Sequence, residues 1–428
     1  MGQWLENKTI VVGLSGGIAC YKGAELVRLL RTAGARVRVV MTRHAQEFIT
    51  PLTMQTLSGE PVSTDLFDLT QESEIGHIRL ADSADAIVVA PATANLIGKV
   101  AAGICDDLLT TVLLATRAPF LLAPSMNVHM FENPVVQANL ARLEERGCRV
   151  IAPGSGYLAC GYEGAGRLAD PAVIVAEVER AVARQDFAGE KILVTAGPNR
   201  ERIDPVRFIS NRSTGKMGYA VAAAAWRRGA DVVLVSGPTA LAAPHGVRRI
   251  SVSTAAEMRQ AVLDELDAAT MLFMAAAVAD YRPAKPAAQK VKKRAGGLVL
   301  ELERTADVLG EIAERKGDQL VIGFAAETED VVENAGRKLR DKRLDMIVAN
   351  DVAGANTGFE VDTNAVTLID ERGREDVPLG TKEAVADAIL DQALTLPRRK
   401  APLPARRNRP STGPAIRVRR RGSAGRRR

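Results

Sequence analysis

Three stretches in the first half of the chain carry residue types suited to acid–base chemistry and ligand binding. Residues 153–167 hold five glycines and Cys160, a second stretch carries His77, and residues 124–131 (PSMNVHMF) carry Asn127. A long glycine-rich loop is usually either functional or disordered, so a flexible linker is the alternative interpretation of the first stretch. Together they predict a site that uses a thiol, an imidazole and a carboxamide.

Polar residues also follow four apolar runs that are predicted to be strands. The runs cover residues 8–14, 35–41, 85–90 and 119–123, and they are followed in turn by Ser15-Gly16-Gly17, Thr42, Thr93 with Asn95, and Asn127. Alternation with helical patterns predicts a doubly wound parallel sheet, which binds ligands beyond the carboxyl ends of its strands. The Ser15-Gly16-Gly17 turn precedes a helix, where phosphate is attracted, but its spacing is not GxGxxG, and a turn without a ligand is the alternative.

A second strand–helix series begins near residue 192. Its first turn, residues 195–218 (TAGPNRERIDPVRFISNRSTGKMG), contains four arginines and ends in Gly215 and Lys216. The turn lacks the GxxxxGK[ST] spacing of a P-loop. A basic, glycine-containing turn before a helix nevertheless predicts a polyanionic ligand, with a solvated surface loop as the alternative.

Charge and cysteine content limit the class of protein. The 428 residues have a net charge of +6, but residues 397–428 hold twelve Arg and one Lys without an acid, and the remainder is about −7. The four cysteines show no CxxC or metal spacing and are far apart in sequence, so we expect no disulfide framework, which fits a reducing cytoplasm. Cys20, Cys105 and Cys148 lie in apolar patterns and are expected in the core. We identify no signal peptide or membrane span, and we expect no membrane partner.

The first half resembles the flavin-containing cysteine decarboxylase family. The matching motifs are SGGIACYK, APATANLIGKVAAGICDDLLTT, PSMNVHM and the ACG of the glycine-rich stretch, and they span most of residues 8–180. The family's PxMNxxM motif is intact around Asn127, although Phe131 stands where Trp is usual. His77 matches the family's active histidine, and Cys160 matches its cysteine.

This resemblance implies an FMN-dependent decarboxylation of an N-acylcysteine. The thiol-bearing carbon is oxidised to a thioaldehyde, CO₂ leaves to give an enethiolate, and a reductive half-reaction with a proton yields the thiol. The resemblance gives His77 a base or orienting role, has Asn127 hold the substrate carboxylate, and makes Cys160 the proton donor. It places the FMN phosphate on Ser15, Gly16 and Gly17, with Thr42, Thr93 and Asn95 nearby.

The second half resembles the phosphopantothenate–cysteine ligase family. The motifs TAGPxRxxIDPVRFISNRSxGKMG, AAAVADYRP, KxKK, GFAAET and IVAND occur in order over about residues 190–393. One departure is Asn199, where Thr is usual, and we expect it to be tolerated. A decarboxylase followed by a ligase resembles the bifunctional coenzyme A biosynthesis enzymes of bacteria.

The second resemblance implies that CTP activates the carboxylate of 4′-phosphopantothenate as an acyl-CMP, from which the amine of L-cysteine displaces CMP. It places Asn211 on the acyl-CMP and gives Lys290 a role in the second step. Mg²⁺, with Asp280 as a ligand, and lysines would neutralise the triphosphate. The residues implied around the nucleotide are Asp280, Lys290, Phe324, Lys338 and Lys342.

These inferences combine into one α/β architecture of two doubly wound, mostly parallel-sheet domains. We expect a flavodoxin-like decarboxylase domain at residues 1–189, a Rossmann-like ligase domain at residues 190–396 and a disordered tail at residues 397–428. The resemblance also implies trimers with flavin pockets between subunits, which paired ligase domains can join into a dodecamer. The alternatives are a non-catalytic regulatory FMN-binding protein, a decarboxylase of peptide C-terminal cysteines, and a nucleic-acid-binding protein that uses the basic tail; we expect none of them.

Overall fold

The computed structural model describes residues 4–67, 76–157, 163–292, 298–327, 331–351 and 358–397. These residues form two α/β units, each built around its own main sheet. Cys160 lies outside the described residues, and so does the arginine-rich segment beyond residue 397.

The first unit is built on a five-stranded parallel sheet in the order β2-β1-β3-β4-β5. Its strands are β1 (Thr9–Leu14), β2 (Arg36–Met41), β3 (Ala86–Ala92), β4 (Phe120–Pro124) and β5 (Arg149–Val150). Its helices are α1 (Tyr21–Thr32), α2 (Pro51–Ser58), α3 (Gly76–Ser83), α4 (Ala94–Ala102), α5 (Leu108–Ala115), α6 (Val128–Phe131), α7 (Pro134–Glu145) and α8 (Pro171–Val182).

Both faces of this sheet are covered, which explains why its strands are continuous apolar runs. Along β1, Ile10 and Val12 pack into one core cluster, and Val11 packs into the cluster on the opposite face. The strand order reverses between β1 and β3, and this is the position at which doubly wound sheets of this order open a ligand crevice.

The glycine-rich stretch is partly ordered as an antiparallel hairpin of β6 (Gly154–Tyr157) and β7 (Glu163–Arg167), so the expectation of a loop without secondary structure is wrong at both of its ends. Gly166 has a φ of +140°, and a Cβ atom there would collide with the carbonyl oxygen of Met126. A Cβ atom at Gly164 would lie 2.7 Å from a methyl group of Val128. Glycine at these positions lets the hairpin lie directly on the turn that carries Asn127.

The second unit has an eight-stranded sheet in the order β12-β11-β8-β13-β16-β17-β18-β19. Its strands, with those of two short two-stranded sheets, are β8 (Lys191–Ala196), β9 (Glu201–Arg202), β10 (Phe208–Ile209), β11 (Asp231–Ser236), β12 (Arg248–Ser251), β13 (Met271–Met274), β14 (Tyr281–Pro283), β15 (Leu302–Arg304), β16 (Leu320–Glu327), β17 (Met346–Asp351), β18 (Thr363–Asp370) and β19 (Gly373–Thr381). Its helices are α9 (Lys216–Arg227), α10 (Ala255–Leu266), α11 (Val308–Arg315), α12 (Val331–Asp341) and α13 (Lys382–Thr395).

The main sheet of the second unit is mixed rather than fully parallel. Its strands run parallel from β12 to β17, and β18 and β19 add to the edge in antiparallel orientation. The sequence analysis did not predict this pair. The residues of β19 are nearly all exposed, so the strand has no apolar run by which to recognise it.

The two units meet where α8 faces α9, and both tryptophans of the chain lie at this junction. The guanidinium of Arg227 lies 3.6 Å from the ring centroid of Trp4, and that of Arg180 lies 4.6 Å from Trp226. His245 contacts Trp226 edge-on at 5.1 Å between ring centroids. Cation–π contacts therefore connect the units in both directions.

The cysteine expectations are confirmed at two of the three cysteines that the structure describes. Cys20 and Cys148 are buried, whereas Cys105 is exposed, and the expectation that Cys105 lies in the core is wrong. Cys105 lies in the connection between α4 and α5, outside the apolar faces of both helices. Among the described residues, no helix is long and apolar enough to cross a membrane.

Candidate functional site

The first candidate site is a cavity of about 920 Å³ at the carboxyl ends of β1, β2, β3 and β4. It is lined by all six residues predicted to bind the cofactor and by the predicted asparagine: Ser15, Gly16, Gly17, Thr42, Thr93, Asn95 and Asn127. These residues come from four separate segments of the chain. They meet because parallel strands end at one edge of the sheet.

Ser15 joins the turns after β1 and β3. Its hydroxyl donates to the carbonyl oxygen of Pro91 at 2.8 Å and accepts from the backbone N–H of Thr93 at 2.9 Å. The residue is only 2% exposed. Because the hydroxyl already donates one hydrogen bond and accepts another, its role in this geometry is to hold the two turns together. The backbone of Gly16 and Gly17 is then the part of the turn that faces the cavity.

Gly16 allows the turn after β2 to approach the turn after β1. A Cβ atom at Gly16 would collide with the Cβ of His44, so a glycine is required for this packing. Thr42 begins the turn after β2, and its hydroxyl accepts the N–H of Ala45 at 3.3 Å. His44 also lines the cavity wall.

Asn127 is held as the N-cap of α6, where its side-chain oxygen accepts the N–H of His129 at 2.9 Å. The preceding residue, Met126, donates its backbone N–H to the carbonyl oxygen of Gly166 at 3.0 Å. The β6–β7 hairpin therefore supports the asparagine turn from outside the sheet.

Four cations in the cavity wall were missed by the sequence analysis, namely Lys22, Arg43, Lys99 and Arg167. For two of these cations, the position in the sequence could have indicated a place at the site. Arg43 follows Thr42 directly, and Lys99 lies four residues after Asn95 on the same helix face. Lys99 donates to Asp106 at 2.8 Å, which raises the pKa of Lys99 and keeps it cationic. The cavity thus suits a ligand or substrate with more than one anionic group.

One predicted residue of this unit does not lie at this cavity within one chain. His77 lies on α3 and lines a separate pocket of about 160 Å³ together with Arg38, Glu60 and Leu108. Cys160 lies outside the described residues. Of the two predicted catalytic residues of this unit that the structure describes, Asn127 therefore lies at the cavity and His77 does not.

The second candidate site lies beyond the carboxyl ends of β8 and β13, where the order of the larger sheet reverses. Asn211 joins the two turns there. Its side-chain N–H donates to the carbonyl oxygen of Ala277 at 2.7 Å, and its side-chain oxygen accepts the N–H of Ser213 at 3.0 Å. Asp280 follows Ala277 in the same turn and is exposed. Its carbonyl oxygen accepts the N–H of Thr305 at 2.9 Å.

Of the other residues predicted to bind the nucleotide, Phe324 lies on β16, Lys338 on α12, and Lys342 directly after the end of α12. Lys338 donates to the carbonyl oxygen of Phe324 at 3.1 Å, so these two are directly in contact. Lys342 lies one turn further on and forms an ion pair with Asp307. Burial works against the charge of Asp307, but hydrogen bonds from Lys342 and Gly310 leave its pKa below the ordinary value. Lys290 is exposed, on the segment that follows β14.

Asn199 is completely buried beside this site, and its side-chain oxygen has no hydrogen-bond partner.

Within the described ranges, no group of three or more His, Cys, Asp or Glu side chains is arranged to hold a metal ion.

Comparisons with known proteins divide the chain into the same two parts. The family model "Flavoprotein" matches residues 2–183, and the model "DNA/pantothenate metabolism flavoprotein C-terminal domain" matches residues 187–396. The chain is 49% identical over 397 residues to the coenzyme A biosynthesis bifunctional protein CoaBC of Bacillus subtilis (strain 168), covering 92% of this chain and 98% of the relative.

The protein of the same name from Escherichia coli (strain K12) is 47% identical over 399 residues, covering 91% of this chain and 98% of that relative. A crystal structure of the C-terminal domain of a CoaBC protein matches with 45% identity and a TM-score of 0.43, covering 49% of this chain and 96% of that one.

Proposed function

This chain belongs to the family of bifunctional coenzyme A biosynthesis proteins, and from that premise we propose the substrates of its two activities and the residues that serve each one. The chain is an enzyme with a ligase and a decarboxylase activity, which act in consecutive steps of coenzyme A biosynthesis. Nothing among its relatives favours a non-catalytic regulatory protein.

The ligase joins L-cysteine to 4′-phosphopantothenate at the expense of CTP. The substrate carboxylate attacks the α-phosphate of CTP, pyrophosphate leaves, and an acyl-CMP forms. The amine of cysteine then attacks the acyl carbon, CMP leaves with the bonding electron pair, and the amine proton is lost. The contact between Lys338 and Phe324, with Lys342 one turn away, supports a nucleotide position beside β16.

The proposal also assigns roles to Mg²⁺, Asp280, Asn211 and Lys290. Since Mg²⁺ is usually held by one or two carboxylates together with substrate phosphates, exposed Asp280 is a suitable protein ligand once the triphosphate is present. Asn211 lies between the two turns at the sheet reversal, which supports a role in holding the acyl-CMP. Lys290 serves the second step, in which charge develops on the departing phosphate.

The decarboxylase acts on the ligase product, 4′-phosphopantothenoylcysteine, and yields 4′-phosphopantetheine. The observation that supports this assignment most directly is the single cavity that contains the six predicted cofactor residues and Asn127. FMN fits the residues present: the volume is adequate, Gly16 and Gly17 expose backbone toward it, and Lys22, Arg43 and Arg167 in the wall balance phosphate and carboxylate charge. Bound there, FMN supplies reversible two-electron oxidation of the thiol-bearing carbon.

The residues of the chain then hold the substrate and move its protons. Asn127 donates its side-chain N–H to the substrate carboxylate, His77 acts as the base or orienting group during oxidation, and Cys160 donates a proton in the reductive half. Because His77 lines a separate pocket in one chain, we propose that subunits of a trimer bring His77 and the cavity together. Exposed Ile18, Tyr21 and Met130 at the cavity support a covering subunit there.

One incubation tests both halves. Purified protein with bound flavin is mixed with 4′-phosphopantothenate, L-cysteine, CTP and Mg²⁺, and the products are followed by mass spectrometry. We expect 4′-phosphopantetheine to appear. Accumulation of the cysteine adduct alone would contradict the decarboxylase half, and the absence of any amide with either CTP or ATP would contradict the ligase half.

Substitution of Lys290 tests its assignment to the second step of ligation. We expect Lys290→Gln to reduce amide formation by about 100-fold or more while pyrophosphate release from CTP is changed far less, because a lost charge contact to the transition state is worth about 3 kcal/mol. Both rates are measured on the same preparation. An equal loss in both would mean that Lys290 serves nucleotide binding instead.

A further inference from the structure

A buried carboxylate, Asp204, lies in the turn between β9 and β10. Its side chain has no exposed surface. Within its own turn it accepts the backbone N–H of Val206 and that of Arg207, each at 2.8 Å, and a two-point contact from the Arg207 guanidinium at 3.0 and 2.5 Å. These bonds hold the pKa of Asp204 far below its ordinary value, so the group is charged throughout the physiological range.

Two further hydrogen bonds connect this ion pair to a segment outside the turn. The second carboxylate oxygen of Asp204 accepts the backbone N–H of Val291 at 3.0 Å, and the Arg207 guanidinium donates to the carbonyl oxygen of the same residue at 2.7 Å. The ion pair therefore binds both polar backbone groups of one residue that lies 87 positions away from Asp204 in sequence. A backbone bond from the N–H of Ala287 to the carbonyl oxygen of Ile203, at 2.9 Å, holds the same segment four residues earlier.

Strand pairing does not explain this contact. The backbone pairing of β14 with β15 ends at Ala284, and residues 285–292 belong to neither strand, so no ladder of backbone bonds fixes their path. The four bonds inside the turn already satisfy Asp204, and they would stabilise the turn without Val291. What the additional contacts fix is the backbone directly beside Lys290, whose own side chain is exposed and long enough to adopt many rotamers.

We propose that Asp204, together with Arg207, is a positioning residue for Lys290 in the second step of ligation. The ion pair holds the backbone of Val291, and this limits the region that the Lys290 ammonium group can reach. The inference rests on the role proposed above for Lys290. It predicts that Asp204 matters for the displacement of CMP by cysteine and not for the attack on CTP that precedes it.

A double-mutant cycle tests this coupling with Asp204→Asn, Lys290→Gln and the double variant of the full-length protein. We expect Asp204→Asn to reduce amide formation by about 10- to 100-fold, since small displacements of a reacting group have effects of this size. Pyrophosphate release should stay within about threefold of wild type. In the Lys290→Gln background the same substitution should cause no further loss, because the residue it positions is already gone.

Asp370→Asn is the matched control. Asp370 is also a buried carboxylate in a two-point contact with an arginine, Arg372, but it lies at the opposite end of the sheet from the candidate site. We expect this variant to lose thermal stability and to keep the wild-type ratio of amide formed to pyrophosphate released. Circular dichroism verifies the folding of each variant. Should Asp204→Asn fail to fold, Arg207→Lys keeps the positive charge but loses the two-point contact to Asp204, and it is expected to shift the same ratio.

The outcomes separate this inference from the function on which it depends. If wild type forms no amide, the proposed ligation itself is wrong. If wild type and Lys290→Gln behave as proposed, the positioning role is overturned by wild-type amide formation in Asp204→Asn, by equal losses in both partial reactions, or by a further loss of equal size in the Lys290→Gln background.

Discussion

Single glycines decide how closely the parts of the first candidate site approach one another. Gly16 admits the turn that carries His44, and Gly166 admits the carbonyl oxygen of Met126 next to Asn127. In both cases the space that a methyl group would need is already filled by a neighbouring segment. The glycines are therefore required by tertiary contacts, and not only by the flexibility that their number suggests.

Gly166→Ala should separate the hairpin from the asparagine turn. We expect decarboxylation to fall by about tenfold or more, because the new methyl group collides with the backbone beside Asn127, while the ligase reaction of the other unit is unchanged. Both rates are measured by product mass on one preparation. Gly147→Ala is the control: its φ is +91°, but no atom lies within 4 Å of the added methyl group. Equal effects of the two variants would attribute the loss to backbone strain alone.

At the scale of elements, three helices around the first candidate site begin at side-chain caps. Thr93 caps α4, Asn127 caps α6, and Asp107 caps α5 through a reciprocal box with Thr110. The cap residues at these helix starts also line the cavity. Capping and ligand binding coincide because both use groups at the carboxyl ends of strands.

Asp107→Ala should destabilise the first turn of α5, because it removes the N-cap of this helix. The lost cap is worth about 1 to 2 kcal/mol of unfolding free energy, measured by urea denaturation followed by circular dichroism. Asp106→Ala is the matched control. Asp106 is exposed and its side chain bonds to Lys99, so we expect a change below about 1 kcal/mol. A larger effect at Asp106 than at Asp107 would contradict the capping argument.

At the scale of the whole molecule, the junction between the two units combines aromatic rings with buried charge. His245 bonds to Glu177 at 2.8 Å, and Arg227 contacts both Trp4 and Asp387. One half-buried acid there is poorly compensated: loss of hydration raises the pKa of Glu179 to about 7, and Arg227 offsets this only in part. Since both tryptophans lie at the junction, intrinsic fluorescence reports on this region of the protein.

The pH dependence of stability follows from Glu179. Unfolded, its carboxyl group titrates near 4.5, so between that value and about 7 the folded state retains a proton that the unfolded state has lost. Stability therefore falls as the pH rises through this window, and the full cost is present above it. Glu179→Gln should add about 1 to 3 kcal/mol at pH 8, as measured by urea unfolding followed by tryptophan fluorescence, and little at pH 4.5.

The control for this measurement is Glu145→Gln, which removes a fully solvated carboxylate on α7. We expect it to leave the stability unchanged at both pH values. A gain for Glu179→Gln that does not depend on pH would mean that the effect comes from packing and not from the titration.

Most strands were predictable because a buried parallel strand must be a short apolar run. The predicted strands at residues 8–14 and 35–41 agree with β1 and β2 to within a residue. The edge strand β19 was missed because a strand with a solvated face needs no such run. The hairpin of β6 and β7 was missed because its glycines resemble those of a flexible loop.

The two-part organisation, the α/β class and the segments that supply the cavity could be inferred from the sequence, because motif residues and strand ends are local features of the chain. Which of these segments meet is a property of the tertiary structure. It brings Ser15, Thr42, Thr93 and Asn127 to one cavity, directs Lys99 and Arg167 into the same wall, and leaves His77 in another pocket. It also joins Asp204 to Val291. Such contacts depend on strand order and on the direction of each side chain, which no local pattern specifies.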